Sequence, residues 1–488
     1  MVLNVKPITK VLCAVMVLVG TAMIIPGAVS VYYKEWVVVK SFAICFIPMI
    51  VIGLLAIRLT PKEDNAVLRM RDGFFIVAVA WIVMSVLGAL PFMISGSIPN
   101  FCDAFFETAS GFSTTGSTVI SAPELLPKGI LFWRSFTHWL GGMGVLVLTI
   151  ALLPMLGIGG QKIMRAETTG PTMDKISFTT NETAKKLYVI YGGMTLLEII
   201  LLYFTGMGLF DACCNTFGTV GTGGLATHGA SIGYYGKVSV EMIIAVFMML
   251  AGINFSLYYH LITGNVKSFF KDKELRVYLA IVATATVFIA AMLYCKSVYG
   301  SIGEALRYAY FQVCSILTTT GYGTADFDMW PIPCKIIILL LMFVGGCAGS
   351  TGGGMKVIRI ILLCKLLKRG VDKKLHPRAA APLKFDGKPV GVDTMSGVAS
   401  FAALYLATIL AGSILVSLSG CDIVTSLTSV IACVSNIGPG FNLVGPSCTF
   451  AFFPGAIKIL LGLLMIAGRL ELFTIILLFT PQYWNKNR

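Results

Sequence analysis

Four short strings of threonine and glycine carry the residue types that can take the place of water around a cation. The first reads Ala109-Ser110-Gly111-Phe112-Ser113-Thr114-Thr115-Gly116-Ser117-Thr118. The second reads Asn215-Thr216-Phe217-Gly218-Thr219-Val220-Gly221-Thr222-Gly223, the third Ser315-Ile316-Leu317-Thr318-Thr319-Thr320-Gly321-Tyr322-Gly323, and the fourth Cys433-Val434-Ser435-Asn436-Ile437-Gly438-Pro439-Gly440. Backbone carbonyls aimed at one axis replace a hydration shell without burying a formal negative charge. A carbonyl faces such an axis only where the backbone alternates in handedness, and glycine reaches positive φ at little steric cost. A threonine before the glycine adds a hydroxyl oxygen. Thr-Gly runs also serve as capped turns on surface loops, so a single string is weak evidence. Aligned on Gly116, Gly221, Gly321 and Gly438, the strings recur about every 100–117 residues, which marks duplicated units.

The elements that must position these strings are membrane helices. Of 488 residues, 57% are hydrophobic and 12% charged, with mean hydropathy +0.86, too little charge to cover a soluble surface. Apolar runs of about 20 residues, the length of a span, recur throughout. The runs predict ten spans, near 9–32, 36–58, 73–96, 130–155, 187–206, 238–263, 276–295, 333–364, 395–418 and 452–480. The outer connections 97–129, 207–237, 296–332 and 419–451 each begin with an amphipathic run too brief to span and then enter a Thr/Gly string. A half-span followed by extended backbone reads as a re-entrant loop. Its short helix would aim a partially negative C-terminus at the ion path. A second landmark keeps phase with the strings: Gly141-Gly142-Met143-Gly144, Ala251-Gly252-Ile253-Asn254, Gly345-Gly346-Cys347-Ala348 and Ala467-Gly468-Arg469-Leu470. Small residues there let helices approach closely. The expected fold is an all-α membrane protein. It has an N-terminal helix pair (1–60) and four pseudo-repeats of helix, re-entrant pore loop and helix around one pore, at 61–160, 161–270, 271–375 and 376–488.

The net charge of +14 does not indicate a nucleic-acid partner. About 27 of the 37 Lys and Arg fall on one side of the spans, in segments such as Arg58–Arg71, Lys162–Lys186, Lys267–Arg276 and Lys356–Lys388, and about nine on the other. That asymmetry assigns the basic side, and with ten spans both termini, to the cytoplasm of an inner membrane. The same segments could attract anionic membrane lipid or an acidic partner. Ala28-Val29-Ser30 could pass for a signal-cleavage site, but the apolar stretch before it is long, and a retained helix is expected. The 13 cysteines are scattered without a C-x-x-C pair, and the histidines at 138, 228, 260 and 376 form no metal-ligand motif. No paired carboxylates or nucleophile motif converges at membrane depth, so an enzyme is not expected, and no cofactor is. No P-loop or Rossmann fingerprint is present.

One predicted span carries six glycines in ten residues, Gly345 to Gly354. Each costs a helix about 1 kcal/mol relative to alanine. Unwound backbone at this depth belongs beside protein or a water-filled cavity. An intramembrane loop is expected below the strings, involving Gly346, Gly349, Gly352 and Gly353, with a kinked helix as the alternative. Lys356 follows it, either reaching for the cytoplasm or anchoring the loop. Arg469 lies deep in the last span, where a charge faces a cavity or a partner, Glu198 and Glu471 being candidates. Glu107 and Asp103 either attract cations or brace the first loop.

On these strings, the third closest to T-V-G-Y-G, and on its four glycines, the chain resembles the Trk/Ktr/HKT superfamily of potassium transporters. With its extra N-terminal pair it is most similar to the TrkH branch. The resemblance covers essentially the whole chain. It implies potassium ions held against Thr114-Thr115-Gly116, Thr219-Val220-Gly221, Thr319-Thr320-Gly321 and Asn436-Ile437-Gly438. It implies a gate formed by the glycine run and Arg469, with Arg469 retarding ion exit below the filter. It implies a homodimer with one pore per protomer, and a cytoplasmic nucleotide-binding regulatory subunit of the TrkA type, for which 356–388 is a docking surface. Pro439 and Thr222 stand where the motif has tyrosine, and Ser117-Thr118 stands where it has Tyr-Gly. A sodium or mixed-cation pathway therefore remains the alternative within transport, and a non-transporting receptor or scaffold the alternative outside it.

Overall fold

The computed structural model describes residues 5–60, 70–144, 180–376, 384–385 and 388–484. The inner end of the span expected at 130–155, most of the basic segment 162–186, and parts of 58–71 and 356–388 lie outside the described residues.

Apolar runs became long helices. α1 (Val5–Ala22) and α2 (Ile24–Tyr32) pack against α3 (Trp36–Leu59), with Val11, Val15 and Val19 buried between them and α4 (Met70–Ile94). This N-terminal pair is tied to the rest through Glu35. Its carboxylate accepts from the N–H groups of Lys128 (2.6 Å) and Gly129 (2.9 Å), orphan donors at the start of a later helix. Outward faces stay apolar at helical spacing, as at Ile44, Ile47, Val51 and Leu55. In a soluble protein such a face would demand a partner; lipid supplies one here.

The rest repeats one sequence of elements. A long helix is followed by a short one, an extended stretch and a second helix. The short helices are α5 (Phe101–Phe112), α8 (Leu209–Val220), α13 (Ile302–Leu317) and α17 (Ile423–Val434). The helices that follow them are α6 (Lys128–Gly142), α9 (Val238–Ala251), α14 (Ile332–Phe343) and α18 (Gly455–Arg469). The long helices leading in are α4, α7 (Thr180–Phe204), α12 (Lys273–Cys295) and α16 (Val392–Ser417). Between them lie α10 (Phe255–Ile262), α11 (Val266–Lys271) and α15 (Val357–Leu375), and the chain closes with α19 (Phe473–Ile476) and α20 (Pro481–Trp484). A small antiparallel ribbon pairs Lys384–Phe385 with Lys388–Pro389.

Six helical stretches among the described residues are long and apolar enough to cross a membrane, or up to eight if two bent pairs each count as one. Three expected spans are broken, each at the small-residue landmark. The span 238–263 is α9 and α10 meeting at 95°, and the span 452–480 bends by 113° after Arg469. The span 333–364 is α14, the irregular segment 344–356 and α15. Close approach explains the position of the breaks. A Cβ on Gly468 would overlap the Val434 carbonyl, and one on Gly252 would lie 2.6 Å from the Tyr278 hydroxyl.

Candidate functional site

The four short helices end in the same way. Each terminates in a residue with φ near +55°, whose N–H and the next bond back into the last turn, the Schellman arrangement. Thr114, Thr222, Thr319 and Asn436 hold the left-handed position, with φ of 56°, 54°, 60° and 56°. The next residue closes the six-residue ring: Thr115 N–H to Ser110 (2.9 Å), Gly223 to Gly218 (2.7 Å), Thr320 to Ser315 (2.9 Å) and Ile437 to Ala432 (2.9 Å). A left-handed threonine costs of order 1 kcal/mol or more, and such strain collects at functional sites. One residue further on, Gly116, Gly224, Gly321 and Gly438 have φ of 86°, 74°, 85° and 103°. The alternation of handedness expected from the sequence is therefore present in all four loops.

The second loop sits three residues later than the sequence alignment placed it. Thr219 and Val220 are the last residues of α8, and Gly221 is its C-cap with φ −71°. Thr222-Gly223-Gly224 occupies the place held by Thr114-Thr115-Gly116, Thr319-Thr320-Gly321 and Asn436-Ile437-Gly438. Gly221 matches Ser113, Thr318 and Ser435, and it packs under the His138 carbonyl, which a Cβ would approach to 2.6 Å. The sequence held a signal for this register. Asp103-Ala104 and Thr108 of the first unit recur as Asp211-Ala212 and Thr216 of the second, which puts Gly224 opposite Gly116.

The loops meet in a closed cycle. A Cβ on Gly116 would overlap the Gly223 carbonyl; on Gly224, that of Thr320; on Gly321, that of Ile437; and on Gly438 it would lie 2.9 Å from that of Thr115. Each glycine thus faces the carbonyl just before the glycine of the next unit, in the order first, second, third, fourth and back to first. On the side away from the short helices, a cavity of about 140 Å³ is lined by all four of these glycines together with Arg134 and His228.

Side chains brace the cycle from behind. Asn436 Nδ2 donates to Thr115 Oγ1 (2.9 Å) and the Met465 carbonyl (2.8 Å), and Ser117 Oγ donates to the Gly438 carbonyl (2.9 Å). The Tyr322 hydroxyl donates to the Asn215 carbonyl (2.8 Å). Glu107 is buried and paired with Arg134 Nε at 2.6 Å, and it also accepts from Thr118 and Val119. Arg134 reaches on to the Ala226 carbonyl of the second loop (2.8 Å). Asp103 pairs with Lys458 at 2.6 Å, joining the first unit to the fourth. Both carboxylates are therefore braces. The buried His138 ring fills the space that a Cβ on Gly223 would need. Sequence reasoning missed Arg134 and His138 as braces of the second loop, because their contacts there, the Ala226 carbonyl and Gly223, lie about 90 residues away.

Outside the spans, Glu124 accepts from Gly229 N–H (2.9 Å) and joins the connections 97–129 and 207–237. Its own backbone N–H, that of Gly229 and the nearby His228 hold its carboxyl below the ordinary value.

The glycine run lies against the helix side of this cycle. It is irregular from Val344 to Lys356, pinned at its neck where Gly345 N–H donates to the Met355 carbonyl (2.8 Å). Gly353 N–H donates to Thr319 Oγ1 (2.6 Å), and a Cβ on Gly352 would lie 2.9 Å from the Thr318 carbonyl. Gly349, at φ 72°, packs on the Asn254 side chain, and Gly346 on the Gly252 carbonyl. Lys356 does not reach outward. It is buried, and its Nζ donates to the Gly352 carbonyl. Arg469 donates to the carbonyls of Thr351 (2.6 Å), Gly141 (2.8 Å) and Gly142 (2.9 Å). The last two are carbonyls at the C-terminal end of α6, where a cation is favoured. Glu471, a partner expected for Arg469, instead pairs with Arg359. Glu198 is buried in α7. Among the described residues, no group of three or more His, Cys, Asp or Glu could hold a metal ion.

A membrane helix bundle closing four equivalent backbone turns on each other is the architecture of a transport protein. The family model described as TrkH, cation transport protein, matches residues 38–486. The chain is 38% identical over 485 residues to the Trk system potassium uptake protein TrkH of Escherichia coli K12, covering 99% of both chains. It is 35% identical over 473 residues to TrkG of the same organism, covering 96% of both. The crystal structure of the potassium transporter TrkH from Vibrio parahaemolyticus superposes with a TM-score of 0.88 at 34% identity, over 99% of this chain and 100% of that one. The chain belongs to the TrkH family, a family of integral membrane transporters rather than enzymes.

Proposed function

We propose that this protein carries potassium into the cell across the inner membrane, through a pore on the axis of the four-loop cycle. The observation that carries the reading is the cycle itself. Four carbonyls, those of Thr115, Gly223, Thr320 and Ile437, each lie where the glycine of the preceding unit leaves room for them. Inward carbonyls would replace water around the ion, assisted by the C-terminal ends of α5, α8, α13 and α17. On this reading the four units are pseudo-repeats, and their short helices with the following loops are re-entrant. The selectivity filter is Thr114-Thr115-Gly116, Thr222-Gly223-Gly224, Thr319-Thr320-Gly321 and Asn436-Ile437-Gly438. The cavity lined by the four glycines is the outer mouth.

The segment Gly345 to Gly354 is the gate, lying across the path below the filter. Arg469 joins it to the end of α6 and opposes cation exit, and Lys356 adds a second positive charge beside it. Both termini are cytoplasmic, in keeping with the basic inner segments. By analogy with relatives named as Trk system proteins, a cytoplasmic TrkA-type subunit regulates the gate, docking near the basic end of α15, and two protomers associate with one pore each. Anionic lipid is the other partner for those basic segments.

The test is flux in vesicles containing the purified protein. Rb⁺ uptake well above Na⁺ uptake supports the reading. Equal uptake of both ions would favour the mixed-cation pathway, for which the unlike side chains Thr115, Gly223, Thr320 and Ile437 are the specific support. No uptake of either ion by folded protein would remove transport altogether.

A further inference from the structure

We infer that Glu274 is the positioning residue that holds the glycine-rich segment across the axis, by accepting hydrogen bonds from its descending limb and from the start of the helix α15 into which it returns. The inference rests on reading that segment as an obstruction. Glu274 is the second residue of α12 and is buried. Its Oε1 accepts from the N–H of Ala348 (2.8 Å), in the descending limb, and from the N–H of Ile358 (2.9 Å), just past the returning limb. Ile358 is the second residue of α15, whose own N-cap, Lys356, makes no side-chain capping bond. A carboxylate from another helix therefore supplies the acceptor that this N-terminus lacks. The same side chain lies in the first turn of α12, so one carboxyl group serves at the N-terminal ends of two helices.

The neighbouring bonds make the grip directional. Cys347 N–H donates to the Gly252 carbonyl (2.8 Å), and Phe255 N–H donates to the Gly349 carbonyl (3.0 Å). Three consecutive residues, 347, 348 and 349, are thus bonded in turn to residues 252, 274 and 255. These flank the hairpin formed by α10 and α11. Displacing the start of α12 away from the start of α10 removes the acceptor from Ala348 and Ile358 together, while Gly349 stays with α10. The segment is then released on one side only, a movement that opens rather than dismantles it.

The experiment compares Glu274→Ala, Glu274→Gln and wild type in full-length protein. It measures hydrogen exchange of peptides covering 345–360 and, separately, Rb⁺ flux in vesicles. The alanine variant should speed exchange at Ala348 and Ile358 by at least about tenfold, leave the rest of α12 protected, and raise flux severalfold. Glutamine keeps the accepting oxygen and should restore both readouts to near wild type. Unchanged exchange in the alanine variant, or a glutamine variant as loose as alanine, overturns the inference. Faster exchange confined to the segment with unchanged flux supports the grip and instead sinks the reading of the segment as an obstruction. If Glu274→Ala does not fold, Glu274→Met, similar in length but without an acceptor, carries the same expectations.

Discussion

The cycle of four loops and the segment Gly345–Gly354 packed against it are both glycine-rich irregular backbone among apolar helices, and they are supported in different ways. Each loop is fixed by its own short helix through the same pair of backbone bonds, as from Thr114 to Gly111 (3.1 Å) and Thr115 to Ser110 (2.9 Å). Hydroxyls add local ties: Ser113 with Thr115 at 2.7 Å, and Thr318 with Thr320 at 2.7 Å. The segment has little of this. Apart from its neck, one turn and the bonds from Lys356 and Val357, it is held by Glu274 and Thr319 from distant parts of its own unit, by Gly252 and Phe255 of the second unit and by Arg469 of the fourth. Support from within one unit makes a rigid element. Support borrowed from several makes one that can be released when they move apart.

The contrast can be broken first at the glycines. Gly116→Ser, Gly224→Ser and Gly321→Ser each place a Cβ against a neighbouring carbonyl at positive φ. Each should lower the Rb⁺ to Na⁺ uptake ratio by roughly tenfold, or ~1.4 kcal/mol. Gly221→Ala has ordinary φ and packs behind the loop, so it should reduce folded yield with the ratio kept in the protein that folds. Reversal of these outcomes between Gly221 and Gly224 would restore the earlier register. Next comes the segment. Removing residues 347–353 should raise Rb⁺ flux about fivefold or more with the ratio unchanged. Equal or lower flux in folded protein would mean that it does not obstruct.

On the proposed reading, Arg469→Ala should raise flux roughly two- to fivefold, because it removes a positive charge from the proposed exit path. A fall in flux that follows lost yield would make Arg469 purely structural. Asn436→Leu tests the rigid partner of the comparison. It removes one hydrogen bond each from the Thr115 hydroxyl and the Met465 carbonyl and puts leucine at positive φ, so it should cost about 2 kcal/mol, read as an earlier thermal unfolding midpoint. The smallest effect lies at Glu124. Its carboxyl titrates below the ordinary value, so its contribution is fully present above that value and fades as pH falls through the lower folded one. Protection of the Gly229 amide, followed by hydrogen exchange, should decline over that acidic range in wild type and show no such titration in Glu124→Gln.

Much of this arrangement was legible in the residues. The strings at Gly116, Gly321 and Gly438 announced their loops, because Thr-Thr-Gly and Asn-Ile-Gly offer a single glycine where handedness must change. The second string offers Gly221, Gly223 and Gly224, and matching it to T-V-G-Y-G selects Gly221, which caps the helix at φ −71°, while Gly224 takes the positive φ. Counting from Asp211 rather than from the motif gives the right answer, since helix length sets where the turn falls. The glycine run at Gly345 announced an unwound segment. The bends after Ala251 and Arg469 were hidden, because an apolar run reads the same whether straight or folded by 95° or 113°. The partners of Glu107, Arg469 and Glu274 were out of reach, since pairs such as Arg134 with Glu107 or Arg359 with Glu471 depend on which helices become neighbours.

The sense in which the loops follow one another has a consequence for rearranged chains. Because each unit leans on its successor and the fourth leans on the first, a circular permutant that begins at the second, third or fourth unit keeps every adjacency. Exchanging two neighbouring units within the chain keeps the same parts and destroys the order in which they fit.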